Sequence, residues 1–180
     1  AAHVGADARA VCTVQRALDG FKEQLPALDL VARATGVVAG IPVAAAVFDV
    51  VCDPDAEIEV VAADGTRVSR GDVLLTVTGR TQQLLTAERS ALNLMCHLSG
   101  VATATAAWAD ALEGSGTRVR DTRKTTPGWR RFEKYAVACG GGTNHRTGLY
   151  DLVLIKDNHL AALAGASPNP IAAAVQRARQ

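Results

Sequence analysis

The sequence predicts an α/β fold, on three observations. Residues 57–77 alternate apolar and polar positions between turn signals, the period of half-buried strands. Residues 86–112 carry apolar side chains at helical spacing. After residue 117 the order becomes strand, helix, strand, and the last of these (Leu152, Val153, Leu154, Ile155) is apolar throughout, as a parallel strand covered on both faces must be.

Bulk composition bounds the reading. At 180 residues, 48% hydrophobic and 21% charged, the chain has the make-up of one ordinary globular domain or two small ones. A formal net charge of +1 removes any overall pull toward nucleic acid or an anionic membrane, so a basic site must be local. Cys12, Cys52, Cys96 and Cys139 are far apart, which argues against a zinc knuckle or a secreted disulfide framework and suits a reducing cytoplasm. No apolar run approaches the ~20 residues of a membrane helix, and no basic-then-apolar leader is visible. The chain opens on Ala1 and closes in a helix-like run over 174–180, so a fragment is expected.

Taken in order, residues 11–24 are expected to be helical and 28–33 extended. Residues 36–40 read as a short apolar strand, and Pro42 suits the opening of a helix over 43–51, where its missing N–H costs nothing. Ile58, Val60 and Ala62 share one face of a strand, Asp64-Gly65 is a turn, and Gly71-Asp72 leads into a strand over 73–77. This block also resembles the sandwich of biotinyl and lipoyl carriers, but no lysine stands at an exposed hairpin tip. Thr86 is expected to cap a helix that Ser99-Gly100 interrupts; a second helix runs over 101–112 and stops at Gly114-Ser115-Gly116. That stop divides the chain into domains 1–113 and 114–180. A strand over 117–121, a turn over 124–128, a helix over 129–138, a flexible glycine loop at 140–142 and the strand 152–155 follow.

Positive charge is concentrated in the second part. Between residues 118 and 146 lie Arg118, Arg120, Arg123, Lys124, Arg130, Arg131, Lys134 and Arg146, against only Asp121 and Glu133. Arg123-Lys124 and Lys156-Asp157 each follow a predicted strand, and ligands of α/β folds gather at the carboxyl ends of strands. Arginine offers a planar fork and lysine a compact point charge, a mixture suited to a small polyanion. The glycines 140–142 would let backbone N–H groups approach an anion. Arg130, Arg131 and Lys134 share a short helix whose default is a solvated face, and His97 is expected to pack or hydrogen-bond at an interface.

Four blocks carry a resemblance: Arg120-Asp-Thr-Arg-Lys-Thr-Thr-Pro-Gly128, Lys134-Tyr-Ala-Val137, Gly140-Gly-Gly-Thr-Asn-His-Arg146 and Leu154-Ile-Lys-Asp-Asn-His159. Together with Leu85-Thr-Ala-Glu-Arg89 and Asn93-Leu-Met-Cys-His-Leu-Ser-Gly100 upstream, they resemble the quinolinate phosphoribosyltransferases, in the family's order, over about residues 36–165. The resemblance implies an N-terminal α/β sandwich followed by the first strands and helices of an incomplete open α/β barrel. It implies phosphoribosyl transfer from phosphoribosyl pyrophosphate to quinolinate with Mg²⁺ present and loss of carbon dioxide, giving nicotinate mononucleotide. It assigns Arg89, Thr122, Arg123, Lys124, His145, Arg146 and Lys156 to substrate binding, with Lys124 and Lys156 catalytic and Thr122 and Asn158 of second rank; no protein ligand to the metal is assigned, and Asp157 stays undecided. It further implies a homodimer in which Arg89 acts across the interface. The family's later acidic and phosphate-gripping blocks would follow Gln180, so no turnover is expected from the isolated 180-residue chain.

Other readings rank lower. A nicotinate phosphoribosyltransferase or a molybdenum-transport-associated pyrophosphorylase shares the fold, but pairing Arg123-Lys124 with His145-Arg146 favours a dicarboxylate. A nucleic-acid-binding module would have only Trp129, Phe132 and Tyr135 for stacking, at a helical spacing that suits core packing.

Overall fold

A computed structural model of the chain describes residues 12–16 (backbone only), 27–52, 54 and 56–179. The chain divides into two compact units, one through His145 and one from Arg146 onward. No helix among the described residues is long and apolar enough to cross a membrane.

The first unit is built on an antiparallel sheet of β1 (Cys12–Arg16), β2 (Ala27–Ala32), β6 (Val73–Thr78) and β4 (Glu57–Val60), in that spatial order. The expected helix over 11–24 is corrected here: residues 12–16 pair with β2 along its whole length, Cys12 opposite Ala32 and Arg16 opposite Leu28. Ladder pairing overrides a weak local helical pattern, and β-branched Thr13 and Val14 suit it. The rest of that segment, 11 and 17–24, lies outside the described residues. The expected strand over 73–77 appears as β6, and its register places Ile58 opposite Val77 and Leu30 opposite Leu75.

One face of this sheet is covered by α1 (Ile41–Cys52) and α2 (Thr81–Ala111). Ile41, Ala44, Phe48 and Cys52 recur along one side of α1 and are buried with Leu30, Leu74, Leu75 and Met95. Full burial of such a Leu, Phe or Met is worth about 1.5–3 kcal/mol. Asp64 supplies the cap for α1 from the distant turn that follows β4: its Oδ2 accepts from Gly40 N at 2.8 Å and its Oδ1 from Ile41 N at 2.9 Å. An anion there also meets the positive end of the helix dipole. Gly40 must be glycine, since its φ is +97° and a Cβ would stand 2.9 Å from Leu98 Cδ1.

The second correction concerns α2, which is one helix of 31 residues, about 46 Å long at 1.5 Å per residue, where two were expected. Thr86 does not cap it; inside the helix its hydroxyl donates to Gln82 O. Ser99-Gly100 is a docking patch, not a break. Ser99 Oγ accepts from Ala39 N (3.0 Å) and donates to Ala39 O (3.1 Å). One turn later Thr103 Oγ1 accepts from Val37 N and donates to Val37 O. The Thr103 hydroxyl completes the edge of β3 (Gly36–Val37), whose other neighbour is β5 (Arg67–Val68), and the Ser99 hydroxyl holds Ala39 just beyond it. A helix interior that carries Ser, Gly and Thr on one side reads as an interruption only while the strand lying against it is unknown.

Past α2, Gly114 (φ +76°) and Gly116 (φ +73°) turn the chain as expected. The expected strand over 117–121 is an extended segment with a single parallel bridge, Arg120 to Thr143. Among the described residues it has no second neighbour, so no ladder builds. The expected helix over 129–138 is α3 (Arg130–Cys139), packed on α2.

In the second unit the expected strand over 152–155 does not form. Leu152, Val153 and Leu154 are exposed, and no strand among the described residues pairs with them. A run of apolar residues signals burial but does not supply a partner. The unit consists of a loop, α4 (Asp157–Ala162) and α5 (Pro170–Ala178), with Ile155 packed against Leu163, Ala173 and Ala174. Asn169 caps α5 by accepting from Ala172 N, and Pro170 opens it.

Candidate anion-binding site

The site in the first unit is organised by α3, a short helix whose charged side chains reach in different directions. Lys134, expected on a solvated face, is 4% exposed. Its Nζ donates to Asp121 Oδ1 at 2.6 Å and to His145 O at 2.8 Å. Asp121 Oδ1 also accepts from His145 N at 2.7 Å. With its amide in the orientation that satisfies both ends, Asn144 donates to Asp121 Oδ2 at 2.8 Å and to Lys134 O at 2.9 Å. The two side chains of this ion pair are 5% and 7% exposed. A buried pair is favourable only when further hydrogen bonds satisfy its remaining lone pairs and protons, and here the backbone of His145 and the amide of Asn144 do so.

The pair joins two loops. Thr143 N donates to Val119 O and Asp121 N to Thr143 O, which lays residues 143–145 beside 119–121. His145 is then gripped at both N and O, and its half-buried imidazole projects from a fixed backbone. From Asp121 the other loop continues through Thr122, whose hydroxyl accepts from Lys124 N at 3.0 Å. Lys124 is exposed, whereas Arg123 is half-buried, and its Nε is buried without an acceptor. The Nε of Arg130 is in the same condition, and another nitrogen of that guanidinium donates to Arg123 O at 3.4 Å. A buried donor left unmet costs about 1–3 kcal/mol, which an arriving carboxylate or phosphate oxygen removes.

The glycine loop plays a different part from the one expected. Gly140, Gly141 and Gly142 donate their N–H groups to Ala136, Ala138 and Val137 O, closing the end of α3, so none is left for an anion. The reason for glycine is proximity to α2: a Cβ on Gly140 would overlap Ala102 O, and one on Gly142 would stand 2.7 Å from Thr105 Cγ2.

The aromatic residues of α3 and its approach are not core either. Phe132 and Tyr135 are 40% and 43% exposed. Trp129 meets Phe132 edge-on at 6.2 Å and His97 at 4.9 Å. His97, on α2, makes the interface hydrogen bond expected of it, with Nε2 3.0 Å from Glu133 Oε1. Tyr135 donates to Asp64 Oδ2 at 2.7 Å, tying α3 to the cap of α1. Burial first, and then the hydrogen bond and charge of Asp64, push the Tyr135 hydroxyl above the ordinary tyrosine range. Burial likewise raises the thiols of Cys52 and Cys139, keeping them in the unreactive protonated form. Because the folded state favours protonated Tyr135, its contribution is whole below the ordinary tyrosine pKa and is lost as pH rises through the higher folded value. Urea midpoints measured across the alkaline range should therefore fall less steeply for Tyr135→Phe than for the parent; equal slopes would contradict this.

The remaining expected site residues stand as follows. Arg89 is exposed on α2. In the second unit, Arg146 is half-buried and donates to Leu152 O at 3.2 Å, while Asp151 holds the intervening loop by accepting from Thr147 N and Gly148 N. Lys156 is exposed and precedes α4, not the end of a strand; its N–H donates to His159 Nδ1 at 2.9 Å. Asn158 Oδ1 accepts from His159 N. An open groove elsewhere in the first unit, lined by Arg67, Asp110, Glu113 and Arg118, contains none of these residues. Sequence reasoning missed Asp121 and Lys134 as organisers, although both stand inside the blocks that carry the resemblance.

Comparison with known proteins places the fold in a family. Residues 10–99 match the model of the quinolinate phosphoribosyl transferase N-terminal domain, and residues 101–180 match that of its C-terminal domain. The chain is 53% identical over 135 residues to the nicotinate-nucleotide pyrophosphorylase [carboxylating] of Mycobacterium leprae, covering 74% of this chain and 48% of that protein. It is 49% identical over 150 residues to a probable enzyme of the same name from Synechocystis, covering 83% and 49%. Among solved structures, NadC from Streptococcus pyogenes superposes with a TM-score of 0.78 at 43% identity, over 87% of this chain and 56% of that one. The Francisella tularensis nicotinate-nucleotide pyrophosphorylase gives 0.79 at 34% identity, over 92% and 59%. The chain thus spans about half the length of the curated relatives it matches. By its domain matches, its relatives and its α/β fold, the chain belongs to the quinolinate phosphoribosyl transferase family.

Proposed function

We propose that this chain supplies quinolinate-binding cations to a carboxylating nicotinate-nucleotide pyrophosphorylase, which joins quinolinate to phosphoribosyl pyrophosphate and releases pyrophosphate and carbon dioxide. The observation that carries the reading is the unmet buried Nε of Arg123 beside exposed Lys124, on a loop anchored by the Asp121–Lys134 pair. Quinolinate has two neighbouring carboxylates, and a guanidinium fork next to an ammonium and an imidazole suits two anionic groups better than one. Arg123, Lys124 and His145 orient the pyridine nitrogen toward the anomeric carbon of the sugar. Arg146 and Lys156 are further anion-binding residues, and Lys124 and Lys156 carry the catalytic assignment. Thr122 holds the turn that presents Lys124. Arg89, exposed on its helix, reaches the substrate of a partner subunit in a homodimer.

Catalysis on this reading is positioning and electrostatics. Fixed cations stabilise the departing pyrophosphate. Once the ring nitrogen is bonded to the sugar it carries positive charge, and it accepts the electron pair left when the adjacent carboxylate departs as carbon dioxide. Among the described residues no three His, Cys, Asp or Glu side chains converge to hold a metal. On this reading Mg²⁺ travels on the diphosphate of the sugar substrate, and no step here is routed through it. The compartment that the widely spaced cysteines suit is the cytoplasm.

The test is the full-length protein that contains this segment, supplied with quinolinate labelled in the carboxyl group next to nitrogen. Labelled carbon dioxide should appear in step with pyrophosphate and only when phosphoribosyl pyrophosphate and Mg²⁺ are present. Release that ignores the sugar substrate, or no release, overturns the reading.

A further inference from the structure

The loop from Thr122 to Gly128 carries Arg123 and Lys124 yet contributes no strand or helix of its own. Its near end is anchored by Asp121, held by Lys134. Its far end is anchored by the preceding residue of the same helix: Glu133 Oε2 accepts from Thr126 N at 3.3 Å. The other oxygen of that carboxylate lies 3.0 Å from His97 Nε2. A carboxylate only accepts, so His97 Nε2 carries the proton and donates. His97 is itself well placed to act as a post. It sits on α2 two residues before Ser99, whose hydroxyl fastens that helix to Ala39 just past β3, and its ring meets Trp129 edge-on. The order of fixation runs from β3 through α2 to His97, Glu133 and the Thr126 amide. Consecutive residues of α3 thereby bracket the cationic loop, one at each end.

We propose that His97 and Glu133 are positioning residues that set the geometry of the Arg123–Lys124 loop for its anionic substrate. Neither touches substrate; the bond from His97 fixes the Glu133 rotamer, and Glu133 fixes the loop. Glu133 is 15% exposed at its side chain and His97 38%, so the link is partly shielded while His97 is not a core residue. The inference rests on the substrate reading above for the identity of the anion, but the positioning itself can be read without it.

Two variants of the full-length protein separate hydrogen bonding from packing. His97→Phe keeps a ring against Trp129 and removes the donor, whereas His97→Gln restores a donor at similar reach. In amide hydrogen exchange, residues 124–128 should exchange ~10-fold faster in His97→Phe and return toward the parent rate in His97→Gln, since one charge-assisted bond is lost and regained. Quinolinate affinity by calorimetry should follow the same order. Should His97→Phe unfold, Glu133→Gln is read instead: without its charge both bonds weaken, and the loop should again exchange faster. Unchanged loop exchange in a folded His97→Phe or Glu133→Gln protein overturns the proposal, as does a His97→Gln variant no better than His97→Phe. If loop exchange responds as stated but the parent binds no quinolinate, the positioning stands and the substrate reading fails.

Discussion

Lys134→Met should destabilise the first unit by about 3–5 kcal/mol in urea unfolding, far more than an ordinary surface charge substitution. The methionine would keep the length and volume of the lysine stem, so the loss is chiefly electrostatic. Asp121 would keep its bonds to His145 N and the Asn144 amide but lose its only cationic partner among the described residues, in a position where its side chain is 7% exposed. His145 O would lose its donor as well. Adding Asp121→Asn to Lys134→Met should recover part of the loss, because the uncompensated charge disappears with it. A loss under about 1 kcal/mol, the worth of a solvated pair, would show that Lys134 behaves as a surface residue.

Arg123→Gln should give the opposite pattern, an intact fold with a crippled reaction. The side-chain Nε of Arg123 has no acceptor to lose, so unfolding midpoints should not fall below the parent. In the full-length protein, kcat/KM for quinolinate should fall by ~10²–10³, the usual effect of deleting one preorganised donor to developing or bound negative charge. Glutamine retains some polarity but neither the charge nor the two-pronged geometry. Together the variants separate roles: Lys134 builds the loop and Arg123 uses it. Loss of stability in Arg123→Gln with kcat/KM unchanged would reverse that assignment.

Much of this architecture is legible in the residues themselves. Alternation through Ile58, Val60 and Val73–Val77 predicts strands because period two leaves few other readings, and Pro42 and Gly114 mark boundaries by backbone chemistry alone. The errors share a physical cause. Cys12–Arg16 is a strand because β2 offers it a ladder, Ser99-Gly100 continues a helix because the Ser99 hydroxyl meets the Ala39 backbone just past β3, and Leu152–Ile155 stays outside any ladder because no strand among the described residues pairs with it. In the first two cases the deciding partner is remote in sequence, and in the third the described residues offer none, so local pattern carries no trace of the outcome.

At the site the same division holds. Arg123, Lys124 and His145 stand out because charge clusters in blocks that resemble a family. Lys134 and Asp121 stand in those blocks too, yet a lysine on a short helix reads as solvated until the 143–145 loop is seen folding over it. The glycines 140–142 suggest an anion nest by composition, whereas their contacts with Ala102 and Thr105 show a close helix crossing.

The central claim is that Arg123, Lys124 and His145 form a receptor for a dicarboxylate, and calorimetric titration of the full-length protein with quinolinate and with nicotinate tests it most directly. The second carboxylate should contribute one further charge-assisted contact, making quinolinate ~10- to 100-fold tighter, with the gap closing in Arg123→Gln. Equal affinity for the two ligands, or a preference for nicotinate, would contradict the account.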